Sequence, residues 1–334
     1  MIILGLETSC DETSAAVVQD GRRVLSNVIA SQVDVHAPFG GVVPELAARQ
    51  HIEAIGFIVD RALAEAELKL DDVDAVAVAN GPGLVGALLV GVNYAKGLAF
   101  ALGKPLVGVH HVEGHVCANL IAHGGLKPPF LSLVVSGGHT ILLAVEGYND
   151  YRVLGGTMDD AAGEAFDKVA RVLGLPFPGG PEVDKLARLG DAGAIPFPRA
   201  RVGAFEFSFS GLKTAVMQYV NKNPDYVEAD VAASFQQAVV DVLADKTVAA
   251  AREFGFGTVV LAGGVACNAA LRRKMEDACS AAGLAFYLPP PVLCTDNAAM
   301  IAARGYYALT RNGAGAPLVA DGWDMDVFPA RMVL

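Results

Sequence analysis

No Cys-x-x-Cys pair occurs in this 334-residue chain, whose five cysteines, Cys10, Cys117, Cys267, Cys279 and Cys294, are odd in number and scattered. That pattern argues for a reducing compartment rather than a disulfide-stapled fold. A positive charge balance is also missing. Lys and Arg number 25 against 36 Asp and Glu, a formal charge of -11, so bulk electrostatics will not hold nucleic acid and any RNA contact must be local or assisted by a partner. No basic region precedes the N-terminal apolar run, Glu7 interrupts that run, and no cleavage-type signal follows. Nor does any apolar stretch reach the roughly 18 to 20 residues that span a bilayer, since Asn93 and Lys96 break the best candidate. The expectation is a cytoplasmic protein without a membrane partner.

What is present is a large apolar fraction, 53% of residues, in a chain long enough for about two domains. Ile2 to Thr8 and Ala15 to Val18 are apolar runs around a polar turn, Ser9 to Thr13, which reads as a hairpin, with a third strand over Val24 to Ala30. Pro44 opens a helix with Leu46, Ile52, Ile55, Val59 and Leu63 on its apolar face and Glu45, Arg49, His51 and Glu53 as a solvated end. A strand, Ala75 to Ala79, a helix from Val85 and a strand, Leu106 to Val109, follow. After Pro128-Pro129 the plan restarts: Phe130 to Val135, the turn Ser136 to His139, Thr140 to Val145, a strand over Tyr151 to Leu154 and a helix over Asp160 to Leu173. The chain reads as two copies of one plan. The expected domains are 1-109 plus 299-334 and 110-298, the second with a Gly- and Pro-rich insertion at about 174-230.

His111-Val-Glu-Gly-His115 places two imidazoles at i and i+4, on one face of a helix. That spacing suits a divalent transition metal, but equally a plain pair of helix histidines. The zinc-protease pattern needs a glutamate directly after the first histidine, and Val112 stands there. Two polar hairpin turns, Ser9 to Thr13 and Ser136 to His139, and the strand-to-helix turn at Gly263-Gly264 suit a nucleotide, through backbone N–H groups, hydroxyls and close approach.

The segments Gly5 to Thr13, His111 to His115, Val135-Ser-Gly-Gly-His-Thr140, Gly163 to Lys168, Phe177-Pro-Gly-Gly-Pro181, Phe207 to Lys213, Ala262-Gly-Gly-Val-Ala-Cys-Asn268 and Cys294-Thr-Asp-Asn297 together resemble the bacterial TsaD family, in order and across nearly the whole chain. The resemblance implies an α/β fold of the actin, sugar-kinase and Hsp70 kind, two ribonuclease-H-like domains with ligand in the cleft between them. It implies transfer of the threonylcarbamoyl group from threonylcarbamoyl-AMP to N6 of adenosine 37 in tRNAs reading codons that start with A, a base presented in a single-stranded loop.

Carried over by position, the resemblance makes His111, His115 and Asp296 ligands of one divalent metal, Fe2+ or Zn2+, per subunit. Val135, Ser136, Gly137, Gly138, His139, Asp167, Gly180, Asp184 and Asn268 become contacts to the adenylate or to ATP or ADP. Its implied partners are tRNA, a TsaB-like paralogue forming a heterodimer, a TsaE-like ATPase and an upstream threonylcarbamoyl-AMP synthase. Glu12 and Lys168 stay unassigned. Arg22, Arg23, Arg199, Arg201 and Lys213 are candidates for tRNA phosphate contacts, against scattered surface charge. An ATP-dependent small-molecule kinase and a nucleotide-gated scaffold of the same superfold are the alternatives.

Overall fold

The computed structural model describes residues 1–310 and 324–328, so most of the aperiodic tail expected from Asn312 lies outside the described residues. Ten strands and eleven α-helices occur among the described residues. The strands are β1 (Ile2–Glu7), β2 (Glu12–Gln19), β3 (Arg23–Ser31), β4 (Ala75–Gly81), β5 (Leu106–His110), β6 (Phe130–Val135), β7 (Thr140–Gly147), β8 (Asp150–Gly156), β9 (Thr258–Ala262) and β10 (Ala285–Tyr287). The helices are α1 (Val33–His36), α2 (Pro44–Glu65), α3 (Val85–Leu102), α4 (His111–Ala122), α5 (Ala162–Val172), α6 (Gly179–Ala187), α7 (Ser210–Lys222), α8 (Glu228–Glu253), α9 (Ala269–Ala281), α10 (Pro291–Cys294) and α11 (Ala298–Leu309).

Two five-stranded sheets form, ordered β3-β2-β1-β4-β5 and β8-β7-β6-β9-β10. In each, the first strand pairs antiparallel with the second and parallel with the fourth, as β1 does with β2 and β4 and β6 with β7 and β9. The expected duplication is therefore real at the level of topology. The central strands are apolar runs because helices cover both faces; all six residues of β6 are buried.

The chain divides into two compact units, Met1–Pro128 with Gly147–Asp150 and Thr295 onward, and Pro129–Glu146 with Tyr151–Cys294. The expected break at 109/110 moves to 128/129. The reason is that α4 leaves β5 without a linker and packs on α11, so residues 110–128 and 295–298 sit in the first unit. Residues 174–230, the expected insertion, fall in the second unit and fill its core through Val183, Ile195, Phe197, Phe205, Phe207, Phe209, Leu212 and Val216.

Two local expectations reverse. On α2 the inner row is Ala47, His51, Ile55, Ile58, Val59, Ala62 and Leu63, while Ile52 is 65% exposed. His51 goes inside because Thr13 and the Cys10 carbonyl saturate its ring nitrogens, at 2.8 and 2.9 Å. Helix α3, despite Asn93 and Lys96, has the 18 residues and apolar composition to cross a membrane; its row Ala87, Leu88, Gly91, Val92, Ala95 and Ala99 is buried, and the helix packs on β4 and α2.

Helix α11 lies directly on β1, with no room for a side chain at Gly5. A Cβ there would strike the Ala298 carbonyl oxygen and stand 2.7 Å from the Ala302 nitrogen. Gly5→Ala is expected to lower stability by about 1–3 kcal/mol, the usual range for overpacking, read from urea denaturation; an unchanged midpoint would contradict this close packing.

Candidate functional site

In the first unit, β5 ends at His110 and α4 begins at His111, so the strand's position in the sheet fixes where the first helical turn starts. His115 follows one turn later, and both imidazoles are buried, their rings 4.7 Å apart and nearly perpendicular. Asp296 comes from the other direction. Asn297 caps α11, its side chain accepting from the Met300 amide at 3.1 Å and donating to the Thr295 carbonyl at 2.8 Å; this holds Asp296 at the head of the helix that packs on α4. Asp296 Oδ1 stands 3.5 Å from His111 Nε2 and 3.2 Å from His115 Nε2. One donor atom from each of the three residues falls within 4.8 Å of the others.

The geometry is that of atoms facing a shared point rather than each other: His115 Nε2 is buried and makes no hydrogen bond despite its nearness to Asp296. His111 is gripped from behind. Glu7, 0% exposed, meets His111 Nδ1 at 2.9 Å and accepts the Ser9 amide at 2.5 Å, with the Ser9 hydroxyl 3.1 Å from the same ring nitrogen. Burial pulls the His111 pKa down, yet Glu7 and Asp296 override it and lift it to about 9. The site favours positive charge at this position. Glu113, as its helical position suggests, points away and pairs with Arg304.

Beside this centre the Glu12 carboxyl is pushed up to about 10, by burial first and then by Asp296 and Asp11. The loop bearing these acids is fixed by buried histidines. Val43 N–H donates to His36 Nδ1, which leaves His36 Nε2 to donate to Gln32, and Gln32 faces His51 Nδ1 at 3.3 Å; His51 Nε2 then donates to the Cys10 carbonyl. Sequence reasoning missed Glu7 and this network. The signal for Glu7 was an acid inside an apolar strand.

The second unit gathers another set of the expected residues. β6 and β9 run parallel and end at Val135 and Ala262, so the turns after them share one sheet edge, the edge where open α/β sheets bind ligands. Ser136 N–H donates to the His139 carbonyl at 2.8 Å and the Ser136 hydroxyl accepts the His139 amide at 3.2 Å; Gly137 and Gly138 stay exposed at the tip. Gly263, at φ +91°, comes so close to Val135 that a Cβ would stand 2.7 Å from its carbonyl carbon.

Asp167 accepts the Gly179 amide at 2.8 Å, just before Gly180. Asp184 is 7% exposed, pairs with Arg188 through one oxygen and leaves the other buried without a hydrogen bond. Asn268 caps α9 through Leu271 N–H and donates to Gln236 at 2.6 Å. Of the unassigned residues, Lys168 is bound to Asp160 and Glu164 at 2.7 and 2.9 Å.

With these positions in view, the family model for TsaD, tRNA N6-adenosine threonylcarbamoyltransferase, matches residues 23–303. The chain belongs to this family. Curated tRNA N6-adenosine threonylcarbamoyltransferases resemble it throughout: that of Geobacter sp. strain M21 is 55% identical, covering 98% of this chain and 96% of its own, and that of Moorella thermoacetica is 59% identical over 92% of each. Among solved structures, full-length HypF in its phosphate- and nucleotide-bound form matches 93% of this chain and 47% of its own, with a TM-score of 0.64 at 16% identity. The Acidaminococcus fermentans (R)-2-hydroxyglutaryl-CoA dehydratase component A matches 92% of this chain and 98% of its own, with a TM-score of 0.55 at 15% identity. These likenesses show a shared fold alone; the TsaD family, to which the chain belongs, has the fold of actin, sugar kinases and Hsp70. Family membership makes the chain a transferase acting on tRNA and does not favour the kinase and scaffold alternatives.

Several expected tRNA contacts are already engaged within the fold. Arg22 donates to the carbonyls of Leu120 and Leu126 at 2.7 and 2.9 Å and approaches those of His123 and Gly124, closing the C-terminal end of α4. Arg199 pairs with Asp241, and Lys213 lies 3.8 Å from Asp160. Arg22→Ala is expected to cost about 1–3 kcal/mol of stability through orphaned carbonyls and to leave the salt dependence of tRNA binding unchanged; a shallower slope with unaltered stability would return Arg22 to the RNA surface.

Proposed function

We propose that this chain transfers the threonylcarbamoyl group from threonylcarbamoyl-AMP to N6 of adenosine 37 in tRNAs reading codons that start with A. We place its centre at His111, His115 and Asp296, holding one Fe2+ or Zn2+. The observation that carries the centre is the buried convergence of two imidazole nitrogens and one carboxylate oxygen within 4.8 Å, with His115 Nε2 lacking a hydrogen bond. Two nitrogens and an oxygen are a donor set such metals take while keeping open positions. When bound, the ion supplies Lewis acidity toward a substrate oxygen.

The chain's own residues do the rest. Glu7 holds the His111 ring so that Nε2 faces Asp296, an outer-shell carboxylate of the kind that orients metal-binding histidines. Adenine N6 is a weak nucleophile because its lone pair is delocalised into the ring, so the acyl donor must be activated, as a mixed anhydride with AMP is. In the second unit, Val135 to His139, Asp167, Gly180, Asp184 and Asn268 are assigned to that adenylate or to ATP and ADP, the exposed Gly137 and Gly138 amides offering donors to its phosphate.

Apolar side chains left exposed on the packed pair α2 and α3, Ile52, Phe57, Val85, Leu89 and Phe100, support a heterodimer with a TsaB-like paralogue. A TsaE-like ATPase, an upstream synthase and a cytoplasmic location complete the proposal.

Asp296→Ala is expected to abolish metal loading, measured by elemental analysis, and transfer, while the circular dichroism spectrum is unchanged; transfer retained without metal would sink the assignment. Glu7→Gln is expected to weaken metal affinity by about 10- to 100-fold in a competition titration, and an unaltered affinity would remove Glu7 from the centre.

A further inference from the structure

Residues 324–328 cross the end of the first unit's sheet at β4 and β5, and the transfer chemistry leaves them without a part. Asn80, near the end of β4, holds them through both of its polar groups. Its side-chain amide donates to the Asp326 carbonyl at 3.3 Å, and its own carbonyl accepts the Phe328 amide at 3.0 Å. Lys96, which interrupts the apolar run of α3, donates to the Met325 carbonyl at 2.5 Å. Met325 and Val327 pack against the first unit's core. Contact is tightest at Phe328: a Cβ at Gly81 would stand 2.6 Å from its Cε2, and its ring stacks on His110 with centroids 5.6 Å apart and planes 29° from parallel.

These contacts converge on one rung of the sheet. β4 and β5 run parallel, and their final register pair is Gly81 with His110; Phe328 packs on both partners. His110 is the last residue of β5 and His111 the first of α4, so the joint that aims the His111 imidazole has the Phe328 ring against it. Glu7 grips the same imidazole from β1, at Nδ1 and 2.9 Å. Ligands held on a fixed support lose less freedom when an ion binds, and the affinity is correspondingly higher.

We propose that Phe328 is a positioning residue for the candidate centre: by clamping the Gly81 and His110 rung it holds His111 ready for the ion, so that docking of residues 324–328 and metal binding reinforce each other. This rests on the reading of His111, His115 and Asp296 as a metal centre. The reinforcement is reciprocal by thermodynamic necessity. If docked Phe328 raises metal affinity by some factor, bound metal must hold Phe328 down by the same factor. A residue that only adds to core packing has no such response to the ion.

The test adds Zn2+ to the metal-free full chain and follows hydrogen exchange of the Phe328 amide by nuclear magnetic resonance, with no transfer reaction involved. In the wild type Zn2+ is expected to slow this exchange about tenfold, the low end for outer-shell support of a metal ligand. The Gly103 amide, at the C-terminal end of α3, is expected to be unaffected, and D296A to show no slowing at Phe328. In a competition titration F328A is expected to bind Zn2+ about tenfold more weakly, the reciprocal of the same coupling, and F328Y to match the wild type. Phe328 exchange indifferent to Zn2+ in a wild type that binds the ion, or an F328A affinity equal to that of the wild type, would overturn the proposal and leave the metal centre standing. A wild type that binds no Zn2+ would overturn the centre and this inference together. The exchange measurement needs no variant, so it decides the matter whatever the folding of F328A.

Discussion

A carboxylate that is wholly buried, Glu7 at the end of β1, is the constraint on which the first unit's chemistry depends. An isolated charge in that position would cost many kcal/mol, so it must be paired and hydrogen-bonded. It is, by the Ser9 amide and the His111 ring. Those bonds fix the polar turn after β1 and the first residue of α4 relative to each other, and His115 and Asp296 follow from there, one through the helical turn and one through α11 lying on β1 and α4. The central strand of the sheet and the head of the candidate centre are thus one piece of structure.

The two sheets carry the same topology but different equipment. In the first unit the turn after β1 leads to acids and to the histidine pair; in the second, the turn after β6 exposes Gly137 and Gly138 and is backed by Gly263. A duplicated scaffold carries a cluster of imidazoles and carboxylates in one copy and an edge of backbone N–H groups in the other.

Much of this was legible in the sequence. Strand and helix positions followed from apolar runs and Gly or Pro punctuation, and the restart after Pro128-Pro129 exposed the duplication, because both signals are local. The His111 and His115 pair was visible through its spacing, whereas Asp296 could be joined to it only through the family resemblance, since the 180 positions between His115 and Asp296 carry no local signal. The misses share one cause, which is that burial of a polar side chain depends on partners distant in sequence. His51 read as part of a solvated end because Thr13 and the Cys10 carbonyl are not its neighbours in the chain, and Glu7 read as an interruption because its partner is His111. Arg22 read as free charge until the α4 carbonyls accounted for it.

The most direct test of the account is transfer of labelled threonylcarbamoyl from its adenylate to tRNA, with the proposed paralogue and ATPase partners present, comparing a tRNA carrying adenosine at position 37 with one carrying guanosine. The account predicts label on the first and none on the second. Label on neither, with a folded and metal-loaded protein, or equal label on both, would contradict it.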